Sequence, residues 1–550
     1  MGIPSLHEEL RDSSMRVVVR TRFGEVIGGR ACTGTAVFLG VPYALPPDRF
    51  QDPKPLPEGF QYQKKEYITE SSYAVQPTND GQAQGNPFKD KVGRGQPSEN
   101  PLFLNIVVPP SFPNERKFPV RVYIHGGFLQ FGSPHSLSSQ AQFIAAQRKE
   151  IWVNIGYRVS IFGFLASDVP YLSGNYGFKD QWLGLLWVRD NIAAFGGNPN
   201  DIQLTGLSAG EWSSNRLCAH SVHQLLHHVS LLPEGEMAPF QTAMLQSNAI
   251  LTDPKTPAQL RPQFNALCQG LGLNTNDPDI LSTLRDSKKV PWQSITRIIE
   301  TDSLGLLGQY GTFRSCLAPD WIITFPGPMA RQRSGAFSAS LRAHGIKGII
   351  TGDLTEEWYL YSIAHPISSP RDILPNLNRY FPDNVSKKLF ERVGELFHWD
   401  GRGVGGSDDI TTPAVRLFGE VLSAGQVYLP GRILARDLVA NGFPVVRYEI
   451  RWAPEAIRPL GYVTHGTDRY LWALRKPNLD SRQWETANRW VETVQQELEN
   501  VLLSGNTHSP SQVLALNEDQ SIGWTSDKRW NEWMSLVDLL PGERKEASRL

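Results

Sequence analysis

Cysteine is scarce in this chain of 550 residues: Cys32, Cys218, Cys268 and Cys316 are the only four. They show no close-pair spacing, which excludes the usual zinc and redox motifs. Long apolar runs are missing as well. No stretch reaches the roughly 18 apolar residues of a membrane-spanning helix. An excess of charge of either sign is also lacking: the formal net charge is −1. Nothing therefore draws the chain to a phosphate backbone, and nucleic acid is not an expected partner. The opening MGIPSLHEELRDSSMRV has no apolar core behind a basic start, so it does not read as a secretory signal. Leu6 stands where a myristoylation signal built on Gly2 needs Ser or Thr. The expectation is an intracellular protein with free, buried thiols. The last residues, Ser548-Arg549-Leu550, are a conservative variant of the Ser-Lys-Leu peroxisomal address. They read equally well as a frayed, charged tail. Both cytoplasmic and peroxisomal locations stay open.

What is present is an ordinary globular balance, 40% hydrophobic and 20% charged. A chain this long buries most of its surface and needs neither a disulfide nor a metal to fold. Fifteen Trp, 16 Tyr and 25 Phe favour a large core and an apolar, aromatic pocket. Residues 75–97 and 401–408 are rich in Gly and read as surface loops. Short apolar runs at 120–124, 151–155, 202–205 and 348–351, with a fifth at 445–450, read as strands covered on both faces. Residues 179–195 carry Trp182, Leu185, Leu186, Val188 and Ile192 near helical spacing. This alternation predicts an α/β chain with a mostly parallel sheet. Segments 254–345 and 366–440 read mainly as helices and loops, inserted over the sheet edge where substrate-shaping lids sit.

The sharpest chemical signal is Gly206-Leu207-Ser208-Ala209-Gly210. An apolar strand precedes it and a plausible helix, 211–219, follows it, the setting a nucleophile elbow requires. Residues flanking the serine in so tight a turn must be small, and Gly206, Ala209 and Gly210 are. The helix N-terminus favours the negative charge that develops there. A serine needs a base to become a nucleophile. His344, His365, His398, His465 and His508 all lie downstream. His465 sits in a small-residue turn, Thr464-His465-Gly466-Thr467, beyond the 445–450 strand; a plain surface histidine is the other reading. An acid must orient the base. Asp353, Glu356 and Glu357 all follow the 348–351 strand, and local context alone does not choose among them. His125-Gly126-Gly127-Phe128 leaves the 120–124 strand and could offer backbone N–H groups to an oxyanion, together with Ala209.

These residues, taken in order, resemble the type-B carboxylesterase and cholinesterase family, which has the α/β-hydrolase fold. Phe38-Leu39-Gly40-Val41-Pro42-Tyr43-Ala44 with Arg49-Phe50 resembles its N-terminal signature. Ser98-Glu99 with Leu102-Phe103-Leu104-Asn105-Ile106 resembles the second. Gly174-Asn175-Tyr176-Gly177 and Phe195-Gly196-Gly197-Asn198-Pro199 resemble the approach to its elbow. The likeness covers most of the chain and implies a single domain over residues 1–550. It implies Ser208 as nucleophile, Glu357 as acid and His465 as base, with an oxyanion hole from Gly127, Phe128 and Ala209. It implies no cofactor and no metal.

Four departures stand out. Leu207 replaces the Glu usual before the nucleophile. Phe128 stands where a small residue is usual, so its ring is expected to crowd the acyl side. Trp358 replaces the Gly after the acid. Pro101 and Thr283 occupy positions where secreted members carry disulfide cysteines, which leaves the single sequon at Asn384 unused. The implied activity is hydrolysis of a small, apolar carboxylic ester, a lactone or a thioester through an acyl-enzyme. An acyltransferase with the same triad and a catalytically weak binding protein are the alternatives.

Overall fold

The computed structural model describes residues 5–78, 88–207, 219–301, 312–363, 365–398 and 412–543. Ser208, Ala209, Cys218, the 401–408 loop and Ser548-Arg549-Leu550 lie outside that set, as does nearly all of the helix expected at 211–219.

Twelve strands form one sheet. In chain order they are β1 (Arg16–Thr21), β2 (Gly24–Arg30), β3 (Ala36–Pro42), β4 (Phe103–Val108), β5 (Phe118–Ile124), β6 (Ile151–Ile155), β7 (Gly197–Leu207), β8 (Thr242–Gln246), β9 (Gly348–Leu354), β10 (Val445–Ile450), β11 (Gln512–Leu516) and β12 (Ile522–Ser526). In space they run β1-β2-β3-β4-β6-β5-β7-β8-β9-β10-β11-β12. Neighbours from β6 through β11 pair parallel. The flanks, β1 to β4 and the β11–β12 hairpin, are antiparallel.

Burial explains which strands the sequence announces. All residues of β8, β9 and β10 are buried, as a strand covered on both faces demands. β1 alternates exposed and buried residues, because one of its faces meets solvent. All five expected strands are present, some with longer bounds. The expected helix runs Tyr176–Asn191 and then tightens into a 3-10 turn, Ile192–Phe195. Part of the expected 75–97 loop is ordered otherwise: Phe88–Val92 is helical, and Gln96–Ser98 pairs with Ser72–Ala74. The thiol expectation also needs correction. Cys268 and Cys316 are buried, but Cys32 is exposed; all three are free.

Helices cover both faces. Ser481–Ser504 packs on β9 and β10. It starts at a capping box, in which Asp480 accepts from the Gln483 N–H and the Gln483 side chain accepts from the Asp480 N–H. Its buried residues, Thr486, Ala487, Trp490, Val494, Leu498 and Val501, follow the helical period. Charges inside the sheet layer are paired, as burial requires. Arg432 meets Asp353 at 3.0 Å and Asp527 at 2.9 Å, and Arg447 meets Asp527 at 2.8 Å.

Both expected insertions are helical. The first includes Pro257–Gly270, Trp292–Thr301 and Ala336–Ala343. The second includes Asp383–Leu396, Pro413–Ser423 and Leu429–Ala440. Side chains of the second, among them Leu377, Phe381 and Phe418, share one apolar cluster with Phe128. That insertion therefore lies over the turn that follows β5.

Candidate active site

Four loops that could carry chemistry leave the C-terminal ends of β5, β7, β9 and β10. Register brings the ends together: Gly206 pairs with Ile124, Leu207 with Gln246, and Gln246 with Gly352. In open α/β sheets ligands bind at this end, where the direction of chain winding reverses.

Geometry separates the three carboxylates at the end of β9 and just beyond it, Asp353, Glu356 and Glu357. Asp353 is bound by Arg432, and burial pushes its carboxyl up to about 7. Glu356 accepts the Val463 N–H at 2.7 Å, anchoring the loop that carries the histidine. Glu357 alone reaches His465: its Oε2 makes a short contact with the ring Nδ1, and both side chains are fully buried. The other oxygen, Oε1, accepts the Leu354 N–H at 3.1 Å. An imidazole held at Nδ1 by a buried carboxylate has its tautomer and orientation fixed, leaving Nε2 for proton transfer. Of the four other late-chain histidines, His398 is exposed and three have partners elsewhere. His344 hydrogen-bonds the Glu236 carbonyl at 2.7 Å, and His365 contacts Tyr380 and Arg379. His508 stacks on Trp524 at 3.9 Å.

Two aromatic residues brace the pair without any signal in the sequence. The Tyr428 hydroxyl accepts the Glu357 N–H at 2.8 Å and donates to the Thr355 carbonyl at 3.0 Å. Tyr361 sets its ring edge-on to His465, with centroids 5.4 Å apart. Tyr428 ends a π-turn, Ala424–Tyr428, 71 residues beyond Glu357, and no local pattern links the two. Asp468 lies nearby, fully buried. Its carboxylate accepts from the Trp472 indole at 2.8 Å, and burial pushes it up to about 6.

The glycine turn after β5 is rigid. Gly127 has φ +139°, and a Cβ there would sit 1.9 Å from the Phe131 carbonyl oxygen. Phe128 and Leu129 follow with φ of +52° and +65°, a conformation costly for bulky residues. The surroundings hold it in place. Gln130 bonds the Phe128 carbonyl at 3.1 Å, Gln76 accepts the Gly132 N–H at 2.8 Å, and the Ser160 N–H donates to Leu129 at 2.6 Å. His125 stacks on Tyr157 at 4.4 Å and is kept neutral, because burial lowers its pKa to about 4. Gly127→Ala keeps the backbone N–H, but its Cβ would force the turn off Phe131 and misplace that N–H, so kcat is expected to fall by about 100-fold, the scale of a lost oxyanion donor. Steady-state ester assays check this; an unchanged kcat would remove the turn from the site.

Two of the departures, Phe128 and Trp358, have structural explanations. The Phe128 ring is 1% exposed and packs on Tyr361 and Tyr380, with centroids 6.5 and 5.9 Å away. It forms a wall between His465's neighbour Tyr361 and the second insertion. Trp358 opens the short helix Trp358–Ser362, buried under the Arg416 guanidinium 4.2 Å above its ring. A small cavity of about 50 Å³ touches His465, Leu360 and Thr464. A larger one, of about 550 Å³, opens beside Tyr380 and Gln426. Among the described residues no cluster of His, Cys, Asp or Glu could hold a metal ion, and no helix is long and apolar enough to cross a membrane.

Comparison with known proteins agrees with this frame. An uncharacterized esterase/lipase of Schizosaccharomyces pombe is 28% identical over 518 residues, which span 90% of this chain and 90% of its own. Carboxylesterase 1D of Rattus norvegicus is 27% identical over 510 residues, 89% of this chain and 85% of its own. A solved PNB esterase superposes with a TM-score of 0.68 at 23% identity, covering 94% of this chain and 99% of that one, a likeness of fold. The profile of the Carboxylesterase family matches residues 15–317, more than half of the sequence. With the α/β-hydrolase sheet and the motifs that run along it, this places the chain in the carboxylesterase family.

Proposed function

We infer that this chain hydrolyses carboxylic esters by a serine mechanism, with Ser208 as nucleophile, His465 as general base and Glu357 as the acid that orients it. The observation that carries the reading is the buried Glu357–His465 contact at the ends of β9 and β10, close to where β7 delivers the G-x-S-x-G sequence. His465 takes the Ser208 proton as the hydroxyl oxygen attacks the ester carbonyl. The tetrahedral oxyanion accepts hydrogen bonds from the N–H groups of Gly127, Phe128 and Ala209. The alcohol leaves with the proton from His465, and water then cleaves the acyl-enzyme by the same route. Family membership and the esterase names of the relatives support ester substrates. Lactones and thioesters suit the same chemistry.

The test is release of acid and alcohol from a panel of simple esters, with butanol or an amine added as competing nucleophile. Free acid as the main product upholds hydrolysis. Acyl transfer to the nucleophile as the main product would make the chain an acyltransferase. No turnover of any ester by folded protein would favour a binding role. The peroxisomal alternative to a cytoplasmic location rests on Ser548-Arg549-Leu550. A fluorescent fusion with and without those residues tests it, and identical diffuse signals would remove the peroxisome.

A further inference from the structure

The cavity of about 550 Å³ is bounded by the segment after β8, by residues 312–315, by residues 378–384 and by Gln426. It lies one side chain away from the candidate site. Tyr380, in its wall, packs on Phe128. Phe313, in the segment that bounds it, is clamped to the glycine turn, its N–H donating to Gln130 at 3.2 Å and its carbonyl accepting from the Gln130 amide. Gln426, on the far side, stands two residues before Tyr428, which holds Glu357.

The charges around this space do not balance pair by pair. Asp253 accepts the Met329 N–H at 2.8 Å. Lys255 donates to the Asn378 carbonyl at 3.0 Å and is attracted by Asp383. Arg379 contacts His365. Arg314 is different. Its guanidinium lies 5.0 Å from the Tyr380 ring centroid, and among the described residues its one hydrogen bond is a long 3.4 Å contact from Nη2 to Gln426 Oε1. Nη1 has no hydrogen-bond partner among them. Among the described residues no carboxylate faces it, only the phenols of Tyr380 and Tyr361, and burial lowers its pKa to about 10. Arg314 is half-buried, and a partly desolvated cation that no carboxylate meets is costly, so such groups are kept where a ligand supplies the missing charge. Guanidinium favours planar, bidentate anions, which a carboxylate is.

We propose that this cavity binds the carboxylate of an ester substrate that carries one at its non-reacting end, with Arg314 as the specificity-determining residue and Tyr380 as the face that holds the guanidinium flat. The preferred substrates are thus hemi-esters of dicarboxylic acids or esters of carboxylated alcohols, rather than uniformly apolar esters. This deepens the ester-hydrolase reading and rests on it.

The experiment compares benzyl hexanoate, monobenzyl adipate and 4-carboxybenzyl hexanoate with wild type, Arg314→Met and Arg314→Lys. Wild type is expected to prefer one of the two anionic esters over the neutral one by about tenfold or more in kcat/KM, the scale of one buried, charge-assisted contact. Arg314→Met should reduce that ratio to within about twofold of unity, and Arg314→Lys should keep part of it. A wild-type preference for the neutral ester, or a ratio that survives Arg314→Met, would overturn the proposal. A second readout needs no turnover: free hexanoate should raise the thermal midpoint of wild type but not of Arg314→Met, and equal shifts would also overturn it. If hexanoate binds as expected while no ester is cleaved, the carboxylate site stands and the hydrolase reading falls.

Discussion

His465→Ala is expected to lower kcat/KM for any ester substrate by about 10⁴-fold or more. That is the range seen when a serine hydrolase loses the base that takes the proton from its nucleophile. The reason is local. Serine is a weak nucleophile at neutral pH, and His465 is the only late-chain histidine whose ring is held by a buried carboxylate beside the ends of the central strands. The substitution also leaves Glu357 buried with only the Leu354 N–H on its side chain among the contacts described above, a cost of about 1–3 kcal/mol. A fall of a few degrees in thermal midpoint should accompany the loss of activity, with the fold intact by circular dichroism. Steady-state rates beside a melting curve separate the two effects. Retention of more than about a tenth of the activity would exclude His465 as the base.

The adjacent glutamates give a sharper contrast. Glu357→Gln keeps the size of the side chain but replaces the acceptor that meets Nδ1–H with a group that can present a donor there. This favours the wrong tautomer, and a loss of about 10³- to 10⁴-fold in kcat is expected. Glu356→Gln should cost less than about tenfold, because Glu356 touches only the backbone of the histidine loop, at the Val463 N–H. Asp353→Asn should act on stability rather than on chemistry, since it breaks the buried contact with Arg432. Parallel kcat values and melting curves for the three variants check this. Comparable kcat losses from Glu356→Gln and Glu357→Gln would contradict the assignment.

The central strands were readable because a strand covered on both faces is mostly apolar, as 120–124, 348–351 and 445–450 are, and the charges they do carry, Arg121, Arg447 and Glu449, are held in ion pairs. The antiparallel flank was harder to see. β1 and β2 interrupt their apolar pattern with Arg and Gly, and their pairing depends on long-range register. The glycine turn was readable because Gly127 leaves no room for a Cβ, whereas the G-x-S-x-G sequence from Ser208 on lies outside the described residues. The choice of Glu357 over its two neighbours was not a matter of local pattern. Family resemblance pointed to it, and the separate partners of Asp353 and Glu356 explain it. Tyr428, Tyr361 and Arg314 gave no sequence signal, because their significance comes from packing against residues 66 to 112 positions away in the chain. The Phe128 ring, expected to crowd the acyl side, is buried against Tyr361 and Tyr380.

The most direct test of the account is covalent. Folded wild-type protein is treated with a fluorophosphonate probe, digested, and the adduct located by mass spectrometry, with Ser208→Ala and His465→Ala alongside. The account predicts a single major adduct on the peptide containing Ser208, absent from Ser208→Ala and reduced by about 100-fold or more in rate in His465→Ala. An adduct on another serine, or equal labelling of wild type and His465→Ala, would contradict it.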